Sequence, residues 1–460
     1  MKKNYLLWAL LVLFKLGYGQ SVKPFSNGDR VVFAGNSITE AGLYENYIWL
    51  YYITHFPDMK LQVFNAGIGG DVAGQIYDRL PRDIMEKDPS VLIVTFGMND
   101  SKYFEYQDTT KTAQTRREAV DTAYANFLKI EEFLKGRPGI RKIIMSSSPY
   151  DETMRNEKNY FPGKSQTMEE IAGFQQDVAR KNRWEYVDLL HPMLAITEKE
   201  QGENPAFTLT GPDRIHPGSA GHFVMAYLFL KEQGLAGKAV ADVSIDVPSR
   251  KVEKSDNAKI KSLKVEPSVI RFDYLSNALP YPIDTLPRVW ENSQIQRDAL
   301  SVIPFTEEFN QERLMVKGLK AGNYALKIDG EWIGAFSATE WAKGINLAEI
   351  THTPQYKQAL ELMELNRKHR ELEAKLRNYY WVNYNFLKGK NLLFDDSERA
   401  RDTIMKHQED NVWLKIKTAD YEQIRVPNTR RQLEKEMQFL REEIYRKNKP
   451  KEHQVTISAI

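Results

Sequence analysis

Apolar residues fall into two regimes along the chain. Between about residues 29 and 237, short apolar runs alternate with longer stretches of helical period. Runs at 31–34, 61–65, 91–96, 142–146 and 185–189 have the length and β-branched content of buried strands. The stretches 44–55, 73–85, 115–134, 168–181 and 219–233 read as helices. Strand and helix in strict turn predict an α/β architecture, a parallel sheet covered by helices on both faces.

The pattern changes at Leu235-Ala236-Gly237. Short alternating segments follow at 260–265, 269–274, 313–316 and 324–328, and Asp329-Gly330 signals a hairpin into 332–336. Pro280, Pro282 and Pro287 mark an irregular connection. From Pro354 the period turns helical: Leu365, Leu372, Tyr379 and Phe386 recur every seventh residue, with Leu362 and Leu376 at companion positions. His369 and Asn383 on that stripe argue against a long coiled coil. Leu433, Met437, Leu440 and Ile444 form a second stripe, so a helical hairpin or packed pair is expected. The predicted organisation is a leader over 1–20, an α/β domain over 21–237, a small β-rich domain over 238–350 and a helical region over 351–460.

The leader rests on Lys2-Lys3, an apolar run to Phe14 and small residues at Gly17 and Gly19, which fit a secretory signal cleaved before Gln20. Lys15 cuts the run short of a bilayer span, so export to the periplasm or the exterior is expected, with no stable membrane insertion. At 460 residues several domains are required. The 64 basic and 62 acidic residues nearly cancel, which gives no electrostatic footprint for nucleic acid. The absence of cysteine excludes disulfides, thiolate metal sites and a cysteine nucleophile.

Four blocks carry candidate chemistry. Gly35-Asn36-Ser37-Ile38-Thr39 follows the first strand, Asn65-Ala66-Gly67-Ile68-Gly69-Gly70-Asp71 the second, and Gly97-Met98-Asn99-Asp100 the third. Asp213-Arg214-Ile215-His216-Pro217 precedes the last helix of the α/β region. Each lies where a strand ends or a helix begins, so all four can meet at one rim of the sheet. Singly they are a helix cap, a glycine turn and ordinary loop residues. Together they supply what acyl transfer needs: a hydroxyl, an imidazole, a carboxylate and oxyanion donors. Ser37 is the candidate nucleophile, His216 its base, and Asp213 the carboxylate that orients the ring; Asp71 and Asp100 are the alternatives for that last role. The Gly70 N–H, the Asn99 amide and the Ser37 N–H are candidate oxyanion donors, and losing one such donor costs about 3 kcal/mol of barrier. His191 and His222 read as structural. No cluster has metal-ligand spacing, and Gly67–Gly70 lacks the lysine of a phosphate loop, so no cofactor is expected.

On these residues the chain resembles the SGNH hydrolases, the GDSL-type esterases and acylhydrolases, over roughly residues 29–235. The family's serine, glycine, asparagine and histidine fall on Ser37, Gly70, Asn99 and His216, and its acidic partner on Asp213. The resemblance implies a flavodoxin-like three-layer sandwich and metal-free ester hydrolysis. Asn36 departs from it, standing where the family most often has aspartate. The expected substrate is an acylated carbohydrate bearing small esters, acetyl first. A lipase or thioesterase acting on lipid or small esters is the alternative, as is a glycan-binding protein with an accessory hydrolase. Trp290, Trp332 and Trp341 offer either a sugar platform or core packing.

Overall fold

The computed structural model describes residues 22–156 and 158–460, so the leader lies outside the described residues. Five parallel strands form the first sheet: β1 (Arg30–Gly35), β2 (Gln62–Gly67), β3 (Val91–Phe96), β4 (Arg141–Ser146) and β5 (Glu185–Val187), in the order β2-β1-β3-β4-β5. This is the doubly wound order of the flavodoxin-like folds. It reverses direction between β1 and β3, where a crevice opens at the carboxyl ends of the strands.

Both faces of the sheet are covered, which is why its strands read as continuous apolar runs. Val31 and Phe33 of β1 point to one core, filled by helices Tyr44–His55 and Ser219–Glu232. Val32 and Ala34 point to the other, under helices Ala73–Arg79, Thr112–Lys135 and Lys164–Asn182. The predicted helix over 73–85 continues past Arg79 as a π turn, Leu80–Ile84, and a short 3-10 turn. The helix Leu190–Glu203, whose apolar spacing is weak, escaped the reading of this part.

Two further sheets follow. One joins β6 (Ala241–Asp246), β7 (Lys251–Asp256), β10 (Glu312–Lys317) and β13 (Ile345–Asn346). The other joins β8 (Ala258–Glu266), β9 (Val269–Ser276), β11 (Asn323–Ile328), β12 (Glu331–Ser337) and β14 (His453–Ala459). Two expectations about boundaries need correction. The chain does not end in helix: β14 returns to pair with both β9 and β11 in the middle of the second sheet. The proline-marked connection also leaves the β-rich part. Leu279, Tyr281, Phe305 and Phe309 join the apolar core of the α/β part, beside Phe223 and Tyr51.

The helical region comprises Pro354–Trp381, a π turn Val382–Leu387, and helices Glu398–His407, Val412–Ile424 and Pro427–Lys447. Its long helix does not bury chiefly the leucine stripe. Asn366, His369, Glu373 and Arg377 are buried, whereas Leu365, Leu372 and Leu376 are only partly so. For Glu373 and Arg377 the reason is what that face meets, while His369 packs edge-on against the Trp49 ring. Strand β2 is the edge of the first sheet, and its outward backbone groups need partners. Side chains of the helical region supply them: the Asn65 N–H donates to Glu373 Oε1 (2.9 Å), the Leu61 N–H to the Tyr445 hydroxyl (2.7 Å), and Arg377 Nε donates to the Gly67 carbonyl (2.9 Å). Arg377 also forms two 2.7 Å bonds to the buried Asp83, which Arg79 (2.6 Å) and Lys87 (2.8 Å) reach as well. Among the described residues no helix is long and apolar enough to cross a membrane.

Candidate active site

Ser37 opens a short helix, Ser37–Glu40, directly beyond β1. Asn36 caps it: its Oδ1 accepts the Ile38 N–H at 3.0 Å, a role asparagine fills as well as aspartate. Gly35 is paired with Gly67 of β2, and the two loops then run side by side. A Cβ on Gly67 would lie 2.3 Å from the Glu40 nitrogen and 2.7 Å from the Thr39 carbonyl carbon, so only glycine allows this approach.

The Ser37 hydroxyl lies 2.8 Å from His216 Nε2, and His216 Nδ1 lies 2.6 Å from Asp213 Oδ2. The other Asp213 oxygen accepts the N–H groups of Ile215 and His216, both at 3.0 Å, which fixes the carboxylate on its own loop. Burial opposes its charge, yet the His216 ring and these donors hold it below the ordinary carboxylate range. The loop is held from beneath by Arg214, which adopts the left-handed conformation (φ +66°). Its buried guanidinium donates to the carbonyls of Asp151, Glu152, Met154, Asn156 and Lys158.

The loop after β2 forms a β-turn, with the Asp71 N–H bonded to the Ile68 carbonyl at 3.2 Å. Gly70 has φ +87° at its third position, which makes the turn type II. Neither the Ser37 nor the Gly70 N–H bonds a carbonyl of the chain among the described residues. The Asn99 amide is oriented at both ends: Nδ2 donates to the Asp71 carbonyl (2.9 Å) and Oδ1 accepts from the Tyr103 hydroxyl (2.7 Å). One N–H of that amide remains for a ligand. The three candidate donors and the Ser37–His216–Asp213 chain therefore belong to one rim.

The alternative carboxylates are committed elsewhere. Asp100 accepts the Ala73 N–H (2.8 Å) and the Gly97 N–H (2.9 Å), tying the second block to the third, and burial pushes its pKa to about 6. Asp71 bonds Arg79 Nε at 2.7 Å, and burial raises it likewise to about 6. His222 is buried beside Tyr44, its pKa lowered by burial to about 3, and His191 is exposed and paired with Asp188 at 2.7 Å. Trp341 is core, while Trp290 (74 % exposed) and Trp332 (53 %) are open to solvent.

Sequence reasoning missed Tyr103, Lys164 and Arg214. Lys164 is buried, donates to the Met98 and Lys102 carbonyls at 2.6 Å, and lies 3.8 Å above the Tyr103 ring; burial draws its pKa well down. The carrying signal was thin: a tyrosine four residues after Asn99 and an arginine between Asp213 and His216. Trp381 also reaches this rim, its Nε1 donating to the Gly69 carbonyl at 3.1 Å.

Comparison with known proteins agrees with this geometry. The model of the GDSL-like lipase/acylhydrolase family matches residues 33–223, and that of the diltiazem deacetylase C-terminal helical domain matches 360–449. An acetylxylan esterase of Geobacillus stearothermophilus is 24% identical over 223 residues, 45% of this chain and 95% of that protein. The solved structure of a gut microbial diltiazem-metabolizing enzyme is 43% identical, covers 96% of this chain and 100% of its own, and superposes with a TM-score of 0.93. With a relative this similar over its whole length, and with the serine, glycine, asparagine and histidine blocks gathered at one rim, the chain belongs to the GDSL-like lipase/acylhydrolase family of the SGNH superfamily and is an ester hydrolase of that type.

Proposed function

We propose that this hydrolase removes O-acetyl groups by a Ser37–His216–Asp213 mechanism, acting on acetylated saccharides. The Ser37 oxygen attacks the ester carbonyl as His216 Nε2 takes its proton, and Asp213 steadies the imidazolium through Nδ1. The carbonyl oxygen, now negative, is met by the N–H groups of Ser37 and Gly70 and the free Asn99 N–H. Collapse of the tetrahedral intermediate expels the alcohol, which takes the proton from His216. Water then repeats the sequence on the acetyl-enzyme, releasing acetate and restoring Ser37.

The observation that carries this reading is the continuous 2.8 Å and 2.6 Å chain from Ser37 to Asp213 in an open setting. The His216 side chain is 40 % exposed and that of Asp213 35 %, which suits a small acyl group on a bulky polar alcohol. Helix Tyr44–His55, an apolar segment that follows the Ser37 helix, is buried throughout and offers no surface for a lipid chain. The names of the relatives point the same way: one is an acetylxylan esterase, and the helical region matches that of a diltiazem deacetylase. Exposed Trp290 is an aromatic face for a sugar on the segment whose Asn292 packs on Gly211 and Gly218, either side of His216.

The likeness to the diltiazem-metabolizing enzyme supports a second reading, in which the alcohol is an acetylated aromatic small molecule. Acetate release should be measured from acetylated xylan, acetylated pectin and diltiazem, with p-nitrophenyl acetate and octanoate as acyl-length controls. Acetate from a polysaccharide and little turnover of octanoate are expected. Faster turnover of octanoate than of acetate would overturn the acetylesterase reading, and acetate from diltiazem alone would replace the saccharide by the small-molecule ester.

A further inference from the structure

The Gly69–Gly70 peptide is held from the far end of the chain. Its carbonyl, on Gly69, accepts two hydrogen bonds, from Trp381 Nε1 at 3.1 Å and from Asn385 Nδ2 at 2.9 Å. Trp381 ends the long helix and Asn385 lies in the π turn that follows, so both donors come from the helical region. A one-turn π insertion of this kind re-aims side chains that a regular helix would place elsewhere.

The consequence follows from peptide geometry. A trans peptide is planar, with its C=O and N–H pointing in opposite directions. Two donors that fix the Gly69 carbonyl therefore fix the Gly70 N–H as well. This unit is the central peptide of a type II turn, as the Ile68–Asp71 bond and φ +87° at Gly70 require. Types I and II differ by a half-turn of that central peptide. With glycine at both central positions no Cβ opposes the flip. In the type I form the Gly70 N–H would face away from the rim, and the oxyanion would lose a donor.

Other contacts lock the same loop. Glu40, at the end of the Ser37 helix, lies where a Cβ on Gly69 would be 2.7 Å from its Oε2, and Lys417 holds its Oε1 at 3.0 Å. Arg377 bonds the Gly67 carbonyl, two residues before the turn. The helical region thus fixes a turn that the α/β part alone leaves free to invert.

We propose that Trp381 and Asn385 are positioning residues that hold the Gly69–Gly70 peptide in its type II state and so aim the Gly70 N–H at the developing oxyanion. The proposal rests on the serine-esterase reading and assigns the helical region a part in the chemistry.

The test uses Trp381→Phe, which keeps the ring and removes its donor, Asn385→Asp, which keeps the size and removes the amide N–H, and their combination, all in the full chain. On p-nitrophenyl acetate, kcat should fall roughly ten-fold for each single variant and approach the roughly 100-fold loss of a whole oxyanion donor for the double. KM should stay within about two-fold, because the interaction belongs to the transition state. Inhibition by a small alkyl boronic acid, which forms a tetrahedral adduct on serine, should weaken by the same factor as kcat/KM, while the unfolding midpoint holds. A double variant with wild-type kcat would overturn the proposal, as would losses that follow a lowered midpoint with unchanged boronate affinity. Ser37→Ala separates the two claims. If it stays active the serine-esterase reading falls and takes the proposal with it. If it is inactive while the clamp variants behave as wild type, the proposal alone falls.

Discussion

Asp83 is surrounded by three cations, and removing its charge is the sharpest test of how the helical region is fastened on. Its side chain is fully buried, and it bonds Arg79, Arg377 and Lys87 at 2.6 to 2.8 Å. Burial works against its charge, but Arg377 and the other cations hold its pKa well below the ordinary range. In Asp83→Asn two guanidinium groups that are also buried lose their shared carboxylate; Arg79 keeps Asp71 and the Gly35 carbonyl, whereas among the described residues Arg377 keeps the Gly67 carbonyl. Stranding one member of a buried ionic cluster costs about 3–5 kcal/mol. Arg377→Met removes the charge at the other end and leaves Asp83 with two cations, so about 2 kcal/mol is expected, chiefly from the unpaired Gly67 carbonyl. In the double variant the stranded charge is gone, and the combined loss should fall short of the sum by at least about 1 kcal/mol. Urea unfolding followed by far-UV circular dichroism gives all three values from midpoint shifts at a common slope. Equal losses for the two single variants, adding without coupling, would refute the claim that Arg377 is bound through Asp83.

Other expectations follow from the same geometry. Ser37→Ala should abolish ester hydrolysis without shifting the unfolding midpoint, and Asp213→Asn should retain more turnover than His216→Ala, as steady-state assays of each variant would reveal. Gly67→Ala should yield a destabilised and inactive enzyme, because its methyl group would meet the Glu40 nitrogen at 2.3 Å; a wild-type midpoint and kcat would contradict the packing. Glu45 and Glu373, which share Asn65 as a partner, have pKa values raised by burial to about 8 and about 7. Raised carboxyls bind protons more tightly folded than unfolded, so their stabilisation is complete below about pH 4.3 and is lost as pH rises through 7 to 8. Glu45→Gln should therefore flatten the decline in stability between pH 5 and 9 measured by thermal melts.

What was legible in the sequence is what obeys a local rule. Strands β1 to β4 are apolar because both faces are covered, and the blocks after them stand out because glycine, asparagine and serine interrupt those runs. The Asp213–His216 contact was legible for a similar reason: the two share one loop, and a three-residue separation is all their contact needs. Tyr103 and Lys164 were not legible, since their roles depend on a fold that brings residue 164 against the carbonyls of 98 and 102. Strand β14 was hidden even though Val455 and Ile457 alternate with polar residues, because its seven residues pair only with strands far away in sequence.

The helical region shows the deeper limit. Hydrophobic periodicity selects the leucines of its long helix as the inward face, yet Asn366, His369, Glu373 and Arg377 are buried there alongside Leu362, while Leu365, Leu372 and Leu376 are only partly so. A helix that packs on another helix buries apolar stripes; one that packs on the open edge of a sheet must bring donors and acceptors for backbone groups. The polar stripe at spacings of three, four and four, continued four residues on by Trp381, was visible in the chain, but the parts of Glu373 and Arg377 carried no meaning until β2 was known to be the edge. The same holds for the loop by which this edge strand enters the candidate rim. The loop after β2 has no neighbouring strand to set its course on the outer side, and its glycines leave its peptides free to turn. Side chains of the distant helical region take the place of that missing strand, with Arg377 on the Gly67 carbonyl and Trp381 and Asn385 on that of Gly69. On this view the helical region serves the reaction by completing the sheet, and cutting it away should disable the α/β part even where the triad residues remain intact.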